Sequence, residues 1–172
     1  MSGLVGGFNF TVRLVETAKP ASAVIGSFAP PVAGGFSEVS GLEATMAVDE
    51  WREGGRNDAV LRFPGRVTHP PIKLRRGLAV SKELWTWHET FLQGRGRRRD
   101  GVVELLDDTG EAVCRWRFRR GLPVRWSGPA LVATSSAVAV EELEIVHEGL
   151  FVQTGGALGE LLNTVTSIFG GP

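Results

Sequence analysis

The chain has 172 residues, of which 42% are apolar, with 19 basic residues, 19 acidic residues and one cysteine. A chain of this length buries roughly 70% of its unfolded surface as one domain, and its formal charge of zero argues against a protein that holds nucleic acid by bulk electrostatics. The lone Cys114 excludes an intramolecular disulfide, and no cysteine and histidine spacing fits a structural zinc site.

The N-terminal sequence predicts neither a signal peptide nor a membrane span. The segment MSGLVGGFNF has no basic region followed by a long apolar core, and no stretch approaches the roughly 18 apolar residues that a span requires. The lone cysteine predicts a protein of a reducing compartment. The balanced charge removes the self-repulsion that keeps many proteins monomeric, which favours a chain that stacks against its own copies.

The first predicted element is a half-buried strand, and a long loop follows it. Phe8, Phe10, Val12 and Leu14 alternate with polar residues, which is the period-two pattern of such a strand. Residues 16–35 are rich in Ala, Pro and Gly and keep no period, so they predict a loop.

A long hairpin with a charged tip comes next. Its predicted strands cover residues 42–51 and 57–63, and the Gly54-Gly55 pair supplies the positive φ values of a tight reversal. A hairpin is only marginally stable alone in water. We therefore expect this arm, residues 42–63, to complete a sheet or to lie on another subunit.

A short strand over residues 72–76 and one helix occupy the middle of the chain. Ser81 is the predicted N-cap of the helix, with Glu83 in its first turn, and Gly94 ends the run. One face of the helix is mostly apolar and consists of Leu84, Trp87, His88, Phe91 and Leu92.

The basic loop 94–100 leads to a predicted hairpin of strands 102–106 and 112–118, followed by strands near 123–126 and 138–147. Cys114 shares an apolar face with its strand neighbours, opposite a row of arginines, and leucine and isoleucine oppose glutamates in the last strand. If the two charged strands are neighbours, these rows pair across the sheet. Otherwise the rows face a partner or a solvent-filled lumen.

The segment 155–172 predicts a short amphipathic helix whose apolar face consists of Leu158, Leu161, Leu162, Val165 and Phe169. It is too short to span a membrane and lacks basic flanks, which favours docking on protein. The predicted fold class is mainly β, a barrel or sandwich of antiparallel strands with one flanking helix and this short C-terminal helix. Residues 1–149 form the predicted β domain and residues 150–172 the docking tail.

Motifs of catalysis are absent from the sequence. It contains no G-x-S-x-G, H-E-x-x-H or P-loop, so no catalytic residue, cofactor or metal ligand is assigned. His88 and Cys114 are predicted to be ordinary core residues. The basic run has no interleaved aromatic residue, which favours a solvated loop or an intersubunit salt bridge over nucleic-acid contact, and it consists of Arg95, Arg97, Arg98 and Arg99.

Several separate segments of the sequence match the motifs of one protein family. The sequence FSEVSGLEATMAVDEWREGGRNDAVLRFPGR is followed by IKLRRGL, a Trp-bearing helix, WRF, PVRWSGP and EELEIVHEG. In order and spacing, from Phe8 to Glu148, the chain resembles the tail tube protein family of contractile phages and phage-tail-like injection systems.

The resemblance implies a non-enzymatic β-barrel subunit, related in fold to the haemolysin-coregulated tube protein of type VI secretion. Such subunits form hexameric rings that stack into a hollow tube, which a contracting sheath drives through a target envelope. The implied partners are further copies of the chain, a sheath protein, a baseplate or spike hub or cap protein, and cargo in the lumen, with assembly in the bacterial cytoplasm. The implied subunit interface is the arm tip, Trp51, Arg52, Glu53, Gly54, Gly55, Arg56 and Asp58.

Two further interpretations stay open. The long loop and the apolar tail exceed the family pattern, so the chain is alternatively a tube initiator or a terminal adaptor to the hub, baseplate or cap. In that case the basic run 95–99 and the apolar face of the tail are candidate docking sites. A monomeric nucleic-acid-binding or ligand-binding barrel is the alternative of a different class.

Overall fold

The computed structural model describes residues 6–17, 35–52, 54, 60–78, 82–134 and 136–154. Nine strands and one helix lie in this part of the chain. In order they are β1 (Phe10–Glu16), β2 (Phe36–Ser40), β3 (Thr45–Trp51), β4 (Leu61–Thr68), β5 (Ile72–Gly77), α1 (Glu83–Leu92), β6 (Arg99–Leu106), β7 (Ala112–Ser127), β8 (Val140–Val146) and β9 (Leu150–Thr154).

Seven strands form one antiparallel sheet in the order β1-β6-β7-β8-β5-β2, with β9 also paired to β7. The first half of β7 lies between β6 and β9, and its second half pairs with β8. Backbone hydrogen bonds join Arg119 to Gly149 and Glu148 across the gap. Strands β8 and β9 therefore follow one edge of β7 as a single interrupted strand.

The mainly β, antiparallel class with one helix is confirmed, but the sheet is not closed into a barrel. Strands β1 and β2 are the two ends of the strand order and do not pair with each other. A closed barrel needs that last pairing, because closure removes both edges of the sheet. The two outer strands keep one unpaired edge each within the part of the chain that the structure describes.

Apolar side chains from one face of the sheet pack against α1. Leu84 and Trp87 of the helix are fully buried, and the Trp87 indole N–H donates to the carbonyl oxygen of Arg97 at 2.9 Å. The sheet contributes the remaining core residues Val12, Leu14, Ile72, Leu74, Val103, Phe118, Leu143 and Ile145. The period-two prediction for the core face is confirmed at Phe118, Leu143 and Ile145.

One ion pair lies inside this core. The Arg76 Nε lies 2.6 Å from the Glu141 Oε1, and both side chains are almost completely buried, with 1% and 2% exposure. The second carboxylate oxygen of Glu141 accepts a hydrogen bond from the Trp126 indole N–H at 2.9 Å, and the Arg76 guanidinium lies over the Phe36 ring. A charge buried this deeply is tolerated only with such a set of partners.

Several sequence predictions need correction. The two strands predicted over 112–118 and 123–126 are the single strand β7, because a register shift between Pro123 and Arg125 accommodates the proline. The N-cap position of α1 is Lys82 rather than Ser81, and Ser81 lies outside the described residues. Cys114 is half-buried rather than fully buried, and this burial raises the pKa of its thiol.

Two other predictions concern segments that lie partly outside the described residues. Of the long loop 16–35, Glu16 belongs to β1, and residues 18–34 lie outside the described residues. The segment 150–172 begins with β9, which continues the sheet beside β7. The predicted helix over 155–172, including Leu158, Leu161, Leu162, Val165 and Phe169, also lies outside them.

Gly41, at the start of the arm, is expected to tolerate no side chain. Its φ is +82°, and a Cβ there would collide with the backbone carbonyl of Pro71, whereas Gly110 has a similar φ of +86° and open space around it. Gly110→Ala should lower the free energy of unfolding by about 1–2 kcal/mol from the left-handed backbone alone. Gly41→Ala should lower it by clearly more, measured by urea denaturation; equal losses would show that the backbone contact relaxes freely.

Candidate assembly interface

The arm is a two-stranded sheet of β3 and β4 that does not pair with the seven-stranded sheet. Every residue of β3 is exposed, and so are six of the eight residues of β4. The hairpin prediction is confirmed, although the return strand runs five residues beyond Phe63, to Thr68. Residues this exposed contribute little burial to the fold of their own subunit.

Large apolar side chains lie on both faces of the arm. Trp51 and Phe63 share one face, because Phe63 pairs with Asp49, two residues before Trp51. The opposite face carries Met46, Val48 and Val67. All five are more than half exposed, and contiguous exposed apolar side chains of this kind mark interaction surfaces.

The sequence-predicted interface is described only in part. Trp51 is 61% exposed, so it does not belong to the subunit core. Arg52 and Gly54 are also exposed, and Glu53, Gly55, Arg56 and Asp58 lie outside the described residues. Sequence reasoning missed Met46, Val48, Phe63 and Val67. The available signal was the absence of a polar face in the run TMAVDEW, which does not alternate like a half-solvated strand.

Two histidines meet at the root of the arm, where β4 returns to the sheet. The ring centroids of His69 and His147 are 5.2 Å apart. His69 donates from Nδ1 to the carbonyl oxygen of Glu43 at 3.3 Å, and His147 donates from Nδ1 to that of Gly149 at 3.1 Å. Burial, and to a lesser extent His69, lowers the pKa of His147. The two imidazoles connect the arm root to the break between β8 and β9.

This pair predicts a loss of stability in mild acid. Because the folded state favours neutral His147, the unfolded chain takes up its proton first, near the usual histidine pKa of about 6.5. The stabilisation is therefore complete above that pH and is lost as the pH falls towards the lower folded pKa. His147→Asn, whose amide can replace the Nδ1 donor, should flatten the slope of Tm against pH between 5 and 7.5. His88→Asn is the matched control, since His88 bonds the carbonyl oxygen of Pro123 and does not belong to the His69–His147 pair; an unchanged slope in His147→Asn would contradict the assignment.

The basic run is folded against the subunit rather than forming a flexible loop. Arg99 is the first residue of β6, and its guanidinium lies 5.0 Å from the Trp87 ring centroid. Burial lowers the pKa of Arg99, while Glu16 and Glu83 act in the opposite direction. Arg97 pairs with Glu16 at 3.3 Å. Trp87 is only 2% exposed, so it offers no platform on which a nucleic-acid base could stack.

The remaining arginines of this run also have partners within the chain. Arg98 pairs with Glu148 at 3.1 Å and donates to the carbonyl oxygen of Arg120 at 2.9 Å. Arg95 donates to the side chain of Gln93. The basic run therefore lies between the end of α1 and the start of β6, and contacts within the chain hold its arginines in place.

The arginine row of β7 and the glutamate row of β8 do not pair along their whole length, as they would if the two strands were neighbours throughout. Strands β7 and β8 are neighbours only over residues 122–127 of β7, so Arg115 and Arg117 do not lie opposite the glutamates of β8. Arg115 instead pairs with Glu104 of β6 at 2.8 Å. Glu144 lies between Lys73 and Arg125. Lys73 and Arg125 are solvent-exposed, so each of their pairs with Glu144 contributes roughly 0–1 kcal/mol.

The described residues contain no grouping suited to metal binding. No three His, Cys, Asp or Glu side chains within them could hold a metal ion. An open groove of about 420 Å³ is lined mainly by small and apolar residues, together with Arg75 and Glu142. Within the described ranges, no helix is long and apolar enough to cross a membrane.

Comparisons with known proteins agree with this architecture. A chain of the anti-feeding prophage (AFP) baseplate, 6-fold symmetrised, is 26% identical, with a TM-score of 0.77 over 90% of this chain and 98% of that chain. A chain of the PVC extracellular contractile injection system, sheath-tube complex in extended state, is 23% identical, with a TM-score of 0.72 over 90% and 94%. Hcp1 from Salmonella typhimurium is 8% identical, with a TM-score of 0.51 over 86% and 89%, a likeness of fold alone.

No curated protein matches the chain in sequence. The family comparison does match, over residues 7–151, and its family is described as T4-like virus tail tube protein gp19. This range includes the whole seven-stranded sheet up to the start of β9, the helix and the arm. The chain therefore belongs to the T4-like virus tail tube protein gp19 family and is a structural component, not an enzyme, of a phage tail or tail-like injection particle.

Proposed function

We propose that the protein is a subunit of the hollow inner tube of a contractile injection system or phage tail, and that it assembles as stacked hexameric rings. The observation that carries this proposal is the arm, whose two faces both expose large apolar side chains. A two-stranded sheet cannot cover either face by itself. Further copies of the chain would cover both faces, and each copy would then be held by more than one neighbour.

The subunit interface of this proposal combines the arm with the open edges of the sheet. Trp51 anchors one face of the arm, with Arg52 and Gly54 next to it, and we assign Glu53, Gly55, Arg56 and Asp58 to the same contact. Strands β1 and β2 end the sheet with unpaired backbone groups, which a neighbouring strand can pair. The function is mechanical, because a tube of interlocked subunits resists bending and collapse.

The number of subunits and the outer partners rest on the solved relatives. The AFP chain comes from a 6-fold symmetrised baseplate, which supports six subunits in a ring. The PVC chain comes from a sheath-tube complex, which supports a sheath protein as the outer partner. We further assign a baseplate, spike hub or cap protein to the tube ends, cargo to the lumen, and assembly to the bacterial cytoplasm.

A second candidate is a tube initiator or terminal adaptor. It is favoured by the AFP relative, which comes from a baseplate structure. In this function the basic run 95–99 and the apolar residues of the segment 155–172 would dock on the hub, baseplate or cap.

Negative-stain electron microscopy of the purified chain tests both candidates. The full chain and a chain ending at Thr154 should be imaged over a range of concentrations. The truncation keeps β9, because β9 completes the sheet beside β7. Tubes from both chains support the tube subunit, and tubes that no longer attach to a baseplate after truncation support the adaptor. A full chain that stays monomeric at every concentration would contradict self-assembly, and salt-sensitive DNA binding by that monomer would favour the nucleic-acid-binding alternative.

A further inference from the structure

Strand β6 carries opposite charges at its two ends. Before its first residue, Arg95 and Arg97 join Arg99 in lining a recess of about 190 Å³, in which Glu16 is the only carboxylate among the described lining residues. After its last residue, the β6–β7 turn carries Asp107, Asp108 and Glu111. Seven residue steps separate the ends of the strand, or roughly 23 Å.

The recess holds three arginines, which outnumber the two carboxylates that act on them, Glu16 of the lining and Glu83 of α1. Arg97 pairs with Glu16 at 3.3 Å. Within the described residues, neither Arg95 nor Arg99 forms an ion pair with a carboxylate, and Arg99 is half-buried beside Trp87. A partly desolvated guanidinium gains more from a carboxylate than an exposed one does. The recess is therefore suited to an acidic side chain from outside the subunit.

The acidic turn is held by hydrogen bonds to Asp107 and presents its outer carboxylates to solvent. Asp107 accepts hydrogen bonds from the backbone N–H groups of Thr109 and Glu111, both at 2.9 Å. The Thr109 side chain, followed by the Glu111 backbone, lowers the pKa of Asp107, so this carboxylate stays ionised. Asp108 and Glu111 are exposed, and neither forms an ion pair in the described part of the chain.

We propose that Asp108 and Glu111 of one copy dock in the Arg95, Arg97 and Arg99 recess of a second copy, so that copies stack head to tail along β6. This inference rests on the proposed stacking of rings and names the contact between them. The second copy is the favoured occupant because its acidic turn and the recess are opposite in charge, and because they lie at opposite ends of one strand. A head-to-tail contact whose rotation closes no ring repeats along an open stack, as growth of a tube requires.

Charge reversal at each end tests the contact. The first variant carries Arg95→Glu and Arg97→Glu, and the second carries Asp108→Lys and Glu111→Lys. Arg99 and Asp107 stay unchanged because they organise the local fold. Each variant alone should form at least tenfold fewer stacked rings than the natural chain in electron micrographs, since like charges meet at every junction. An equimolar mixture of the two should restore stacks, because its junctions alternate in sign.

Arg117→Glu is the control for a charge reversal away from the recess, since Arg117 is exposed on the sheet and forms no ion pair within the described residues; it should stack normally. Unchanged Tm values would show that the variants fold. Sedimentation velocity of the mixture separates this inference from the proposed function. If the natural chain forms no tubes, the proposed function fails. The docking contact is tested separately, because it requires the mixture of the two variants to form larger species than either variant forms alone. Variants that stack normally, or a mixture that does not associate, would overturn the contact.

Discussion

Glu141→Ala is expected to lower the free energy of unfolding by about 3–5 kcal/mol, because it leaves a buried guanidinium without its carboxylate. Arg76 and Glu141 are 1% and 2% exposed and 2.6 Å apart. The substitution also removes the acceptor of the Trp126 indole N–H. Urea denaturation monitored by tryptophan fluorescence and circular dichroism measures the change.

The neighbouring residue of β5 supplies a matched control. Arg75 points to the opposite face of the sheet and pairs with Glu38 at 2.8 Å, with both side chains about half exposed. Glu38→Ala should lower the free energy of unfolding by less than about 1 kcal/mol, because water screens the exposed pair. Similar losses in Glu38→Ala and Glu141→Ala would show that burial does not set the energy of these pairs. The double substitution Arg76→Met, Glu141→Leu should regain much of the stability lost in Glu141→Ala, since no charge then stays buried.

The second large effect is expected on assembly rather than on folding. Trp51→Ala together with Phe63→Ala removes the large side chains from one face of the arm. Both side chains are more than half exposed, so the Tm of the monomer should change little. An interface tryptophan of this type contributes roughly 2 kcal/mol or more to binding, which corresponds to about a 30-fold weaker association for each contact. The critical concentration for tube formation, measured by light scattering and electron microscopy, should rise at least to that extent.

Leu131→Ala is the control for the arm substitutions. Leu131 is 86% exposed and lies between β7 and β8, far along the chain from the arm. It should leave tube formation unchanged if the arm is the interface. The assignment would be contradicted if the double arm variant formed tubes at the same critical concentration as the natural chain. It would also be contradicted if the Tm of the monomer fell together with tube formation. Gly55→Val, at the predicted tip, should act like the arm substitutions.

The local elements were predictable because their signals are local. The alternation of Phe10, Val12 and Leu14 predicts β1, and the spacing of Leu84, Trp87 and Phe91 predicts α1. The turn sequence DDTG predicts the hairpin between β6 and β7. Each signal lies within a few residues, and backbone conformation responds to the same few residues.

The candidate interface was only partly predictable. The position of Trp51 beside a charged tip fits an interface anchor, but the run TMAVDEW does not show whether a core covers it. The structure shows an arm outside the sheet with apolar side chains on both faces. The recess at Arg95, Arg97 and Arg99 depends on Trp87, which lies in a different element and is brought there by the packing of α1.

By itself, the sequence determined the mainly β class, the arm, the helix and the tail tube family, because period-two and helical patterns and family motifs lie along the chain. Only the tertiary structure decided that β7 changes partner from β6 and β9 to β8, that the sheet stays open, and that Arg76 and Glu141 meet inside the core. The reason is physical: strand pairing and register join residues far apart in sequence. Adjacent residues such as Arg75 and Arg76 point to opposite faces of a strand, and only the register and the packing of the whole sheet determine which of them is buried.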